Sequence, residues 1–378
     1  VCERRGGAAT ECTSTVIARG AMQCGLVLIV AALSKHAQLQ PDNCTTVMNK
    51  TSIPEKCSFL FRAAKAHGPV CIAEKEFQSR DGRRASFRLA VRARDDVVSS
   101  ELLRGSKGFE ETEMAAFGAL MRPHTVVLDI GSNIGWWTFK LATEYEVHSF
   151  EPFPANLALQ NLSKCLNVGL ADNIVTYPVG LYKKEPARCE MYSSAENLGD
   201  THTVCGSDDE LQSKRGGTMK GLHLRGSAEM RVLDNLVPLR IFEADKIIKI
   251  DVEGSELLAL RGATRLLTSG RPPRAILIEV VWFRNTARKE LYQFLDSYGY
   301  MPVQRIGYNF IFVHKHSDHM TWHERSRASQ PATQREIKAA NSFMKSECND
   351  FCAFHRPPDC NATCGTYGKR VCCEWWEE

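Results

Sequence analysis

Short apolar runs that end in an acid recur through the middle of the chain, separated by amphipathic stretches. Val126-Val127-Leu128 is β-branched and reads as a buried strand. It runs into Asp129-Ile130-Gly131-Ser132-Asn133-Ile134-Gly135 and then an apolar helix from Trp136 to Thr143. Val147 to Phe150 is a second strand, ending on Glu151. A helix from Pro154 to about Leu166 and a third strand, Ile174 to Val179, follow. Lys246 to Ile250 is the fourth strand and ends in Asp251-Val252-Glu253-Gly254. A helix is expected over Ser255 to Leu267, and Arg274 to Glu279 is the fifth strand. Lys289 to Tyr298 reads as a helix, and Tyr300 to Gln304 with Phe310 to His314 as a closing hairpin around Gly307. Strands alternating with helices and then a hairpin indicate an α/β fold, its sheet mainly parallel with one antiparallel edge.

Ligands of such sheets bind at the carboxyl ends of the strands. Asp129, Glu151, Asp251, Glu253 and Glu279 all fall on that rim. Five acids on one edge repel one another, so some should be paired, bonded to ligand hydroxyls, or raised in pKa. A Gly-rich first turn with an acid ending the next strand suits an adenosyl ligand, the acid accepting from ribose hydroxyls. Asn133 stands where a dinucleotide loop would have its second glycine, which argues against NAD or FAD. S-adenosyl-L-methionine, which has no phosphates, remains compatible, and its ammonium would suit Asp129. The alternative is an ordinary βα turn with no ligand.

Val127 to Gly135, Phe150-Glu151-Pro152, Val232 to Leu236 and Ile248-Lys249-Ile250-Asp251-Val252-Glu253-Gly254-Ser255-Glu256 with Leu260-Arg261-Gly262-Ala263 together resemble the FkbM-type S-adenosylmethionine-dependent methyltransferases. The resemblance spans roughly Asp96 to His314, and Gly108-Phe109-Glu110 matches the family's lead-in. It implies a class I methyltransferase (Rossmann-like) sheet and methylation of hydroxyl groups on sugars or small molecules. By that likeness Asp129, Gly131, Asn133 and Gly135 would hold the methionine part of the cofactor, and Glu151 its ribose. No clear residue matches the adenine site.

Asp251 and Glu253 are the candidate catalytic residues, standing where an acceptor should approach. Either could take the proton, bind acceptor hydroxyls or hold a divalent ion, or simply cap the following helix. No dedicated metal site is read from the sequence. The polar insertion from Lys183 to Arg225 is either a substrate lid or a surface excursion. Its His202 and His223 are alternative bases if it folds over the site.

Composition changes the picture at the two ends. The 378 residues are 43% apolar, ample for one large core, and the net charge of +4 is too well mixed to suggest a nucleic-acid partner. Of fifteen cysteines, three precede residue 25 and six lie between Cys348 and Cys373. Met22 precedes the apolar run Cys24 to Leu33, which is too short to span a bilayer and has signal-peptide length. A short membrane anchor and a buried helix are its rivals. Twelve cysteines follow Lys35, an even number suited to pairing in an oxidising compartment. Asn43, Asn49, Asn161 and Asn361 head N-glycosylation acceptor triplets. These features favour the secretory pathway, as a lumenal or secreted protein, over the cytoplasm.

The chain therefore divides into an upstream segment with signal peptide or anchor (1–37), a stalk or lead-in (38–85) and the methyltransferase-like domain (86–316). A linker helix (317–345) and a Cys-rich tail (346–378) complete it. The tail's C-x3-C pairs place two sulfurs on one helical face, favouring disulfides over zinc. Two functional classes stay open. One is an active methyltransferase acting on a small-molecule or glycan acceptor; the other is a catalytically silent secreted binding module that uses the tail for a partner.

Overall fold

The computed structural model describes residues 53–80, 82–104, 108–185, 187–205, 221–280 and 285–315. The apolar run at Cys24, the acceptor triplets at Asn43, Asn49 and Asn361, the 317–345 linker and the Cys-rich tail lie outside these residues.

In chain order the first elements are α1 (Ser58–Lys65), β1 (Val70–Gln78), β2 (Arg84–Arg92), α2 (Val97–Arg104) and α3 (Glu111–Gly118). Next come β3 (Val126–Ile130), α4 (Trp136–Leu141), β4 (Glu146–Phe150), α5 (Pro154–Leu166), α6 (Val168–Ala171), β5 (Ile174–Tyr177) and β6 (Gly180–Leu181). The insertion contributes β7 (Ala187–Ser193), β8 (His202–Val204) and β9 (His223–Arg231), followed by α7 (Leu233–Leu236) and α8 (Leu239–Glu243). The chain then forms β10 (Lys246–Ile250), α9 (Glu256–Leu260), α10 (Thr264–Leu267), β11 (Ala275–Glu279), α11 (Asn285–Ser297), β12 (Tyr300–Ile306) and β13 (Asn309–His314).

Seven strands form the central sheet in the order β12-β13-β11-β10-β3-β4-β5. β3, β4, β5, β10 and β11 pair in parallel, and β13 runs against both of its neighbours. This is the mainly parallel sheet with an antiparallel edge that the pattern predicts. Strand alternation divides the core between the two faces. Val127, Val147, Ile247 and Leu277 pack on one side with α4 and α5. Leu128, Ile130, Ile248, Ile250 and Ile278 pack on the other with α8 to α11.

Three expectations need correction. The segment read as a stalk is folded from residue 53 onward. β1 pairs antiparallel with β2 from Val70↔Arg92 to Gln78↔Arg84, burying Cys71 and Ile72 beside Leu89 and Val91. Cys57 is bonded to Cys165 of α5, and Cys71 is also in a disulfide. Of the polar letters that suggested a stalk, Glu74, Glu76 and Gln78 face outward from β1, while Lys75 is buried. The expected helix over Ser255 to Leu267 is two, α9 and α10, broken at Arg261-Gly262-Ala263. A Cβ on Gly262 would come within 2.3 Å of the Tyr182 carbonyl oxygen, so the chain turns there against β6. Asp234 then accepts from the Arg265 and Leu266 amides at 2.7 and 2.9 Å, capping the second helix from afar.

The third concerns the insertion. Its described residues form a second sheet, β6-β9-β7-β8, closed by the Cys189–Cys205 disulfide. Cys189, Met191, Ala228 and Met230 give it a small core against Phe153. It is a folded wall and not a surface excursion. The Asn161 triplet lies within α5, with Asn161 exposed and Ser163 fully buried.

Candidate active site

The turn after β3 is shaped by one close approach. Gly131 has φ 77°, and a Cβ there would stand 1.7 Å from the Asp251 carbonyl oxygen. Only glycine lets the β3 and β10 ends meet so closely. Asn133 is also left-handed, at φ 53°. Its amide donates to Glu151 Oε2 at 2.8 Å, and the Phe153 amide donates to Glu151 Oε1 at 2.7 Å. Gln160 of α5 braces the turn from below, donating to the Asn133 carbonyl at 2.6 Å and to Ser132 Oγ at 2.9 Å. Gly135 caps α4. The lead-in Gly108-Phe109-Glu110 is pinned to α4 by two indoles. Trp136 Nε1 donates to the Phe109 carbonyl at 2.6 Å and Trp137 Nε1 to Glu110 Oε2 at 2.8 Å.

The β10 end carries the second half. Glu253 has φ 53°, and the neighbouring Val252 and Gly254 amides donate to Glu256 Oε1 at 3.0 and 3.1 Å. Between the halves lies a cleft lined by Gly131, Asn133, Glu151, Asp251 and Glu253 among others. The insertion forms the facing wall with Gly199, Thr201, Thr203 and Met230. Pro152, Val179 and Leu181 supply the apolar side, and sequence reasoning did not find them. They are apolar residues with no motif of their own, and Met230 lies far along the chain, so no local signal marked an adenine site.

Asp129 is not on this wall. β3 is buried on both faces, so the side chain turns beneath the cleft, where Thr138 Oγ1 donates to Oδ2 at 2.6 Å. Its Oδ1 stands 3.9 Å from Lys249 Nζ, and Lys249 in turn reaches Asp251 Oδ2 at 3.1 Å and the Gly131 carbonyl at 3.2 Å. An ammonium of the chain itself thus faces Asp129 at ion-pair distance, while Asp129 Oδ1 has no hydrogen-bond partner among the described residues. Glu279 is also absent from the wall, though one of its carboxylate oxygens lies within 4.8 Å of such atoms on Asp251 and Glu253. His223 is exposed at the start of β9. His202 docks on the β10 turn, its Nδ1 3.1 Å from the Glu253 carbonyl oxygen.

The carboxyls are as crowded as their rim positions implied. Burial raises Glu151 to about 7, against bonds from the Phe153 and Asn133 amides that favour its charge. Burial likewise raises Glu110 and Glu256 to about 7. Burial together with the negative charges of Asp251, Glu256 and Glu110 pushes Glu279 to about 9. Asp129 is raised by burial, offset in part by Lys249. Lys249 is raised because Asp251, Asp129 and Glu110 together outweigh its burial. Among the described residues two groups bring metal-ligating atoms within 4.8 Å of one another, Asp200 with His202 and Glu253, and Asp251 with Glu253 and Glu279.

Residues 129–302 match the model of the methyltransferase FkbM domain. The chain carries an FkbM methyltransferase domain. The matched residues run from β3 to β12 of the central sheet, and the domain is that of a methyltransferase. No curated protein sequence matches the chain. Among solved structures, an rRNA methylase of Streptococcus thermophilus is 13% identical over 53% of this chain and 92% of its own, with a TM-score of 0.30. Precorrin 8w decarboxylase of Methanobacterium thermoautotrophicum is 14% identical over 55% and 90%, with a TM-score of 0.29. Precorrin-6y C5,15-methyltransferase of Geobacter metallireducens is 13% identical over the same shares, also with a TM-score of 0.29.

A cofactor of the S-adenosylmethionine type fits the residues of the FkbM domain. Glu151 accepts a backbone amide on each oxygen and a further bond from the Asn156 side chain, and a carboxylate has about four acceptor sites, leaving capacity for about one hydroxyl. Asn133 Oδ1 is a buried acceptor with no hydrogen-bond partner among the described residues, beside the same turn.

Proposed function

We propose that the FkbM domain transfers a methyl group from S-adenosyl-L-methionine to a hydroxyl on a sugar, glycan or small molecule. The observation that carries this reading is the group of carboxyls and hydroxyls on one side of the cleft. Glu151 and the Gly131 to Gly135 turn stand on one side. Asp251 and Glu253 stand on the other, beside the hydroxyls of Thr201, Thr203 and Ser255. Such a wall of hydroxyls and carboxylates suits a polyhydroxylated acceptor and would not pay the desolvation cost of an apolar one.

Glu151 would hold the ribose, the glycine turn the amino-acid part, and Pro152, Val179, Leu181 and Met230 the base. The cofactor supplies an electrophilic methyl group. Attack of an acceptor oxygen on the methyl carbon would form one C–O bond as the C–S bond breaks, with S-adenosylhomocysteine leaving and the hydroxyl proton released. Asp251 or Glu253 would receive that proton. The main task of the chain is alignment, since in-line transfer gains most from holding the two reacting atoms close. General-base assistance adds on the order of a hundredfold.

The disulfides at Cys57–Cys165 and Cys189–Cys205 are compatible with an oxidising compartment, and they support a secretory location. Among the described residues no helix is long and apolar enough to cross a membrane. The test of function is direct. S-adenosylhomocysteine at a hundredfold over its Kd should stabilise the full chain by about 2.7 kcal/mol through mass action. Equal stabilisation by NAD, or none by the homocysteine compound, would overturn the reading.

A further inference from the structure

Arg92 ends β2, outside the matched residues 129–302, and its side chain is buried against α5. Burying a guanidinium is costly unless its charge is paired and its donors are used. Here they are divided between two partners. Nη1 donates to Asp96 Oδ2 at 3.0 Å, in an ion pair whose side chains are 6% and 0% exposed. Nη2 donates to Asn156 Oδ1 at 2.6 Å. Asn156 belongs to α5, is itself buried, and lines the cleft beside Glu151.

The contact with Arg92 decides how the Asn156 amide lies. A guanidinium only donates, so the atom it meets must be the carboxamide oxygen. The NH2 group is then left for Glu151, to which the Asn156 side chain bonds, and for the cleft. With the amide reversed, its oxygen would face the Glu151 carboxyl, acceptor against acceptor, and its NH2 would face the guanidinium. We propose that Arg92 is a positioning residue of the cofactor site, fixing the Asn156 amide so that its NH2 holds Glu151 toward the ribose. The inference rests on reading Glu151 as the ribose acceptor.

The surroundings keep the guanidinium in place. The Arg92 amide donates to Ser99 Oγ at 3.0 Å, and the Ser99 amide donates to Asp96 Oδ1 at 2.6 Å. The ring of Phe153, whose amide donates to Glu151 Oε1, lies 6.0 Å from the guanidinium carbon. The insertion is tied to the same segment, the Leu198 amide donating to the Asp95 carbonyl at 2.8 Å. Cofactor binding then depends on a hairpin that precedes the matched residues and contributes nothing to the cleft wall itself. Lysine at position 92 would keep the charge beside Asp96 and Glu151, but it has one nitrogen where arginine has a fork.

Arg92→Lys is therefore the informative change, measured by S-adenosylhomocysteine calorimetry on the full chain. It should weaken binding about tenfold, the order expected for losing one bond to a charged group. Asn156→Ala should weaken it by a similar factor. The double variant should fall no more than about twofold below either alone, because the two residues act as one unit. Both changes should also move the rise of affinity with pH to higher pH, since the Asn156 bond favours the charged form of Glu151. A lower melting temperature with natural affinity and a natural pH profile would make Arg92 merely structural and overturn the proposal. Full additivity of the two changes in binding would do the same. If Arg92→Lys does not fold, NMR of the Asn156 side-chain amide in the natural chain decides. Its protons should shift as Glu151 titrates, and protons that ignore that titration overturn the proposal. Failure of the natural chain to bind the homocysteine compound would instead overturn the functional reading, and the Asn156 protons would still decide which way its amide faces.

Discussion

Lys249 Nζ lies 3.1 Å from Asp251 Oδ2, tying a buried ammonium to a carboxylate on the cleft wall. The same ammonium faces Asp129, whose side chain is fully buried. Removing it leaves Asp129 without its neutralising partner. Lys249→Met should therefore destabilise the fold by about 3 to 5 kcal/mol, the usual cost of breaking a buried pair from one side. Lys249→Met combined with Asp129→Asn should recover a large part of the loss in urea unfolding. Full additivity of the two single changes would show that the residues do not interact.

The raised carboxyls make stability and ligand binding depend on pH. An acid whose folded pKa exceeds its unfolded value binds more protons when folded, so stability falls as pH rises between the two. For Glu110, Glu151 and Glu256 that window runs from the ordinary glutamate value of 4.5 to about 7, and for Glu279 to about 9. The unliganded chain should accordingly be more stable near pH 5 than near pH 8 in urea unfolding.

Ribose hydroxyls donating to Glu151 favour its charged form. Affinity for S-adenosylhomocysteine should rise with pH up to about 7 and level off above it. Glu151→Gln should bind about 1 to 3 kcal/mol more weakly and lose that slope in calorimetry. A slope that survived the substitution would assign the proton to another carboxyl.

At Gly131 a methyl group has nowhere to go, because the Asp251 carbonyl would stand 1.7 Å from it. Gly131→Ala should separate the β3 and β10 ends and cost about 1 to 3 kcal/mol in backbone strain alone. Loss of homocysteine-compound binding should accompany the stability loss. Ser132→Ala, one residue along the same turn, should show a smaller effect in both assays.

The Cys189–Cys205 bond closes a short loop across the insertion, with a sequence separation of 16. A disulfide over such a loop contributes roughly 3 kcal/mol in the chain-entropy account. Cys189→Ser with Cys205→Ser should expose the insertion to protease while the central sheet keeps its protection. Simultaneous loss of both would mean that the insertion and the sheet unfold as one unit.

Most of the fold was legible because β3, β4, β10 and β11 are compact apolar runs with an acid at or near their carboxyl ends. Five parallel strands and the closing hairpin appear where the pattern placed them, as do α5 and the turn from Gly131 to Gly135. Tertiary contacts decided what the pattern missed. Gly262 looked like a helix residue until Tyr182 was seen to block it, and β1 looked like a stalk because its outward residues are polar. Asp129 was placed on the correct strand end, yet nothing local told that Lys249 would claim it. The cleft wall from Thr201, Thr203 and Met230 depends on how a distant insertion folds back, which no periodicity along the chain records.

Cys57 and Cys165 lie 108 positions apart, and their bond encloses both strands of the first hairpin, the indole-pinned lead-in, β3, the glycine turn and Glu151 in one covalent ring. A single backbone cut within that ring opens it without releasing a fragment. A chain nicked there would migrate as one species on a non-reducing gel and as two pieces only after reduction. The cofactor half can thus be severed and still remain attached to the rest of the molecule.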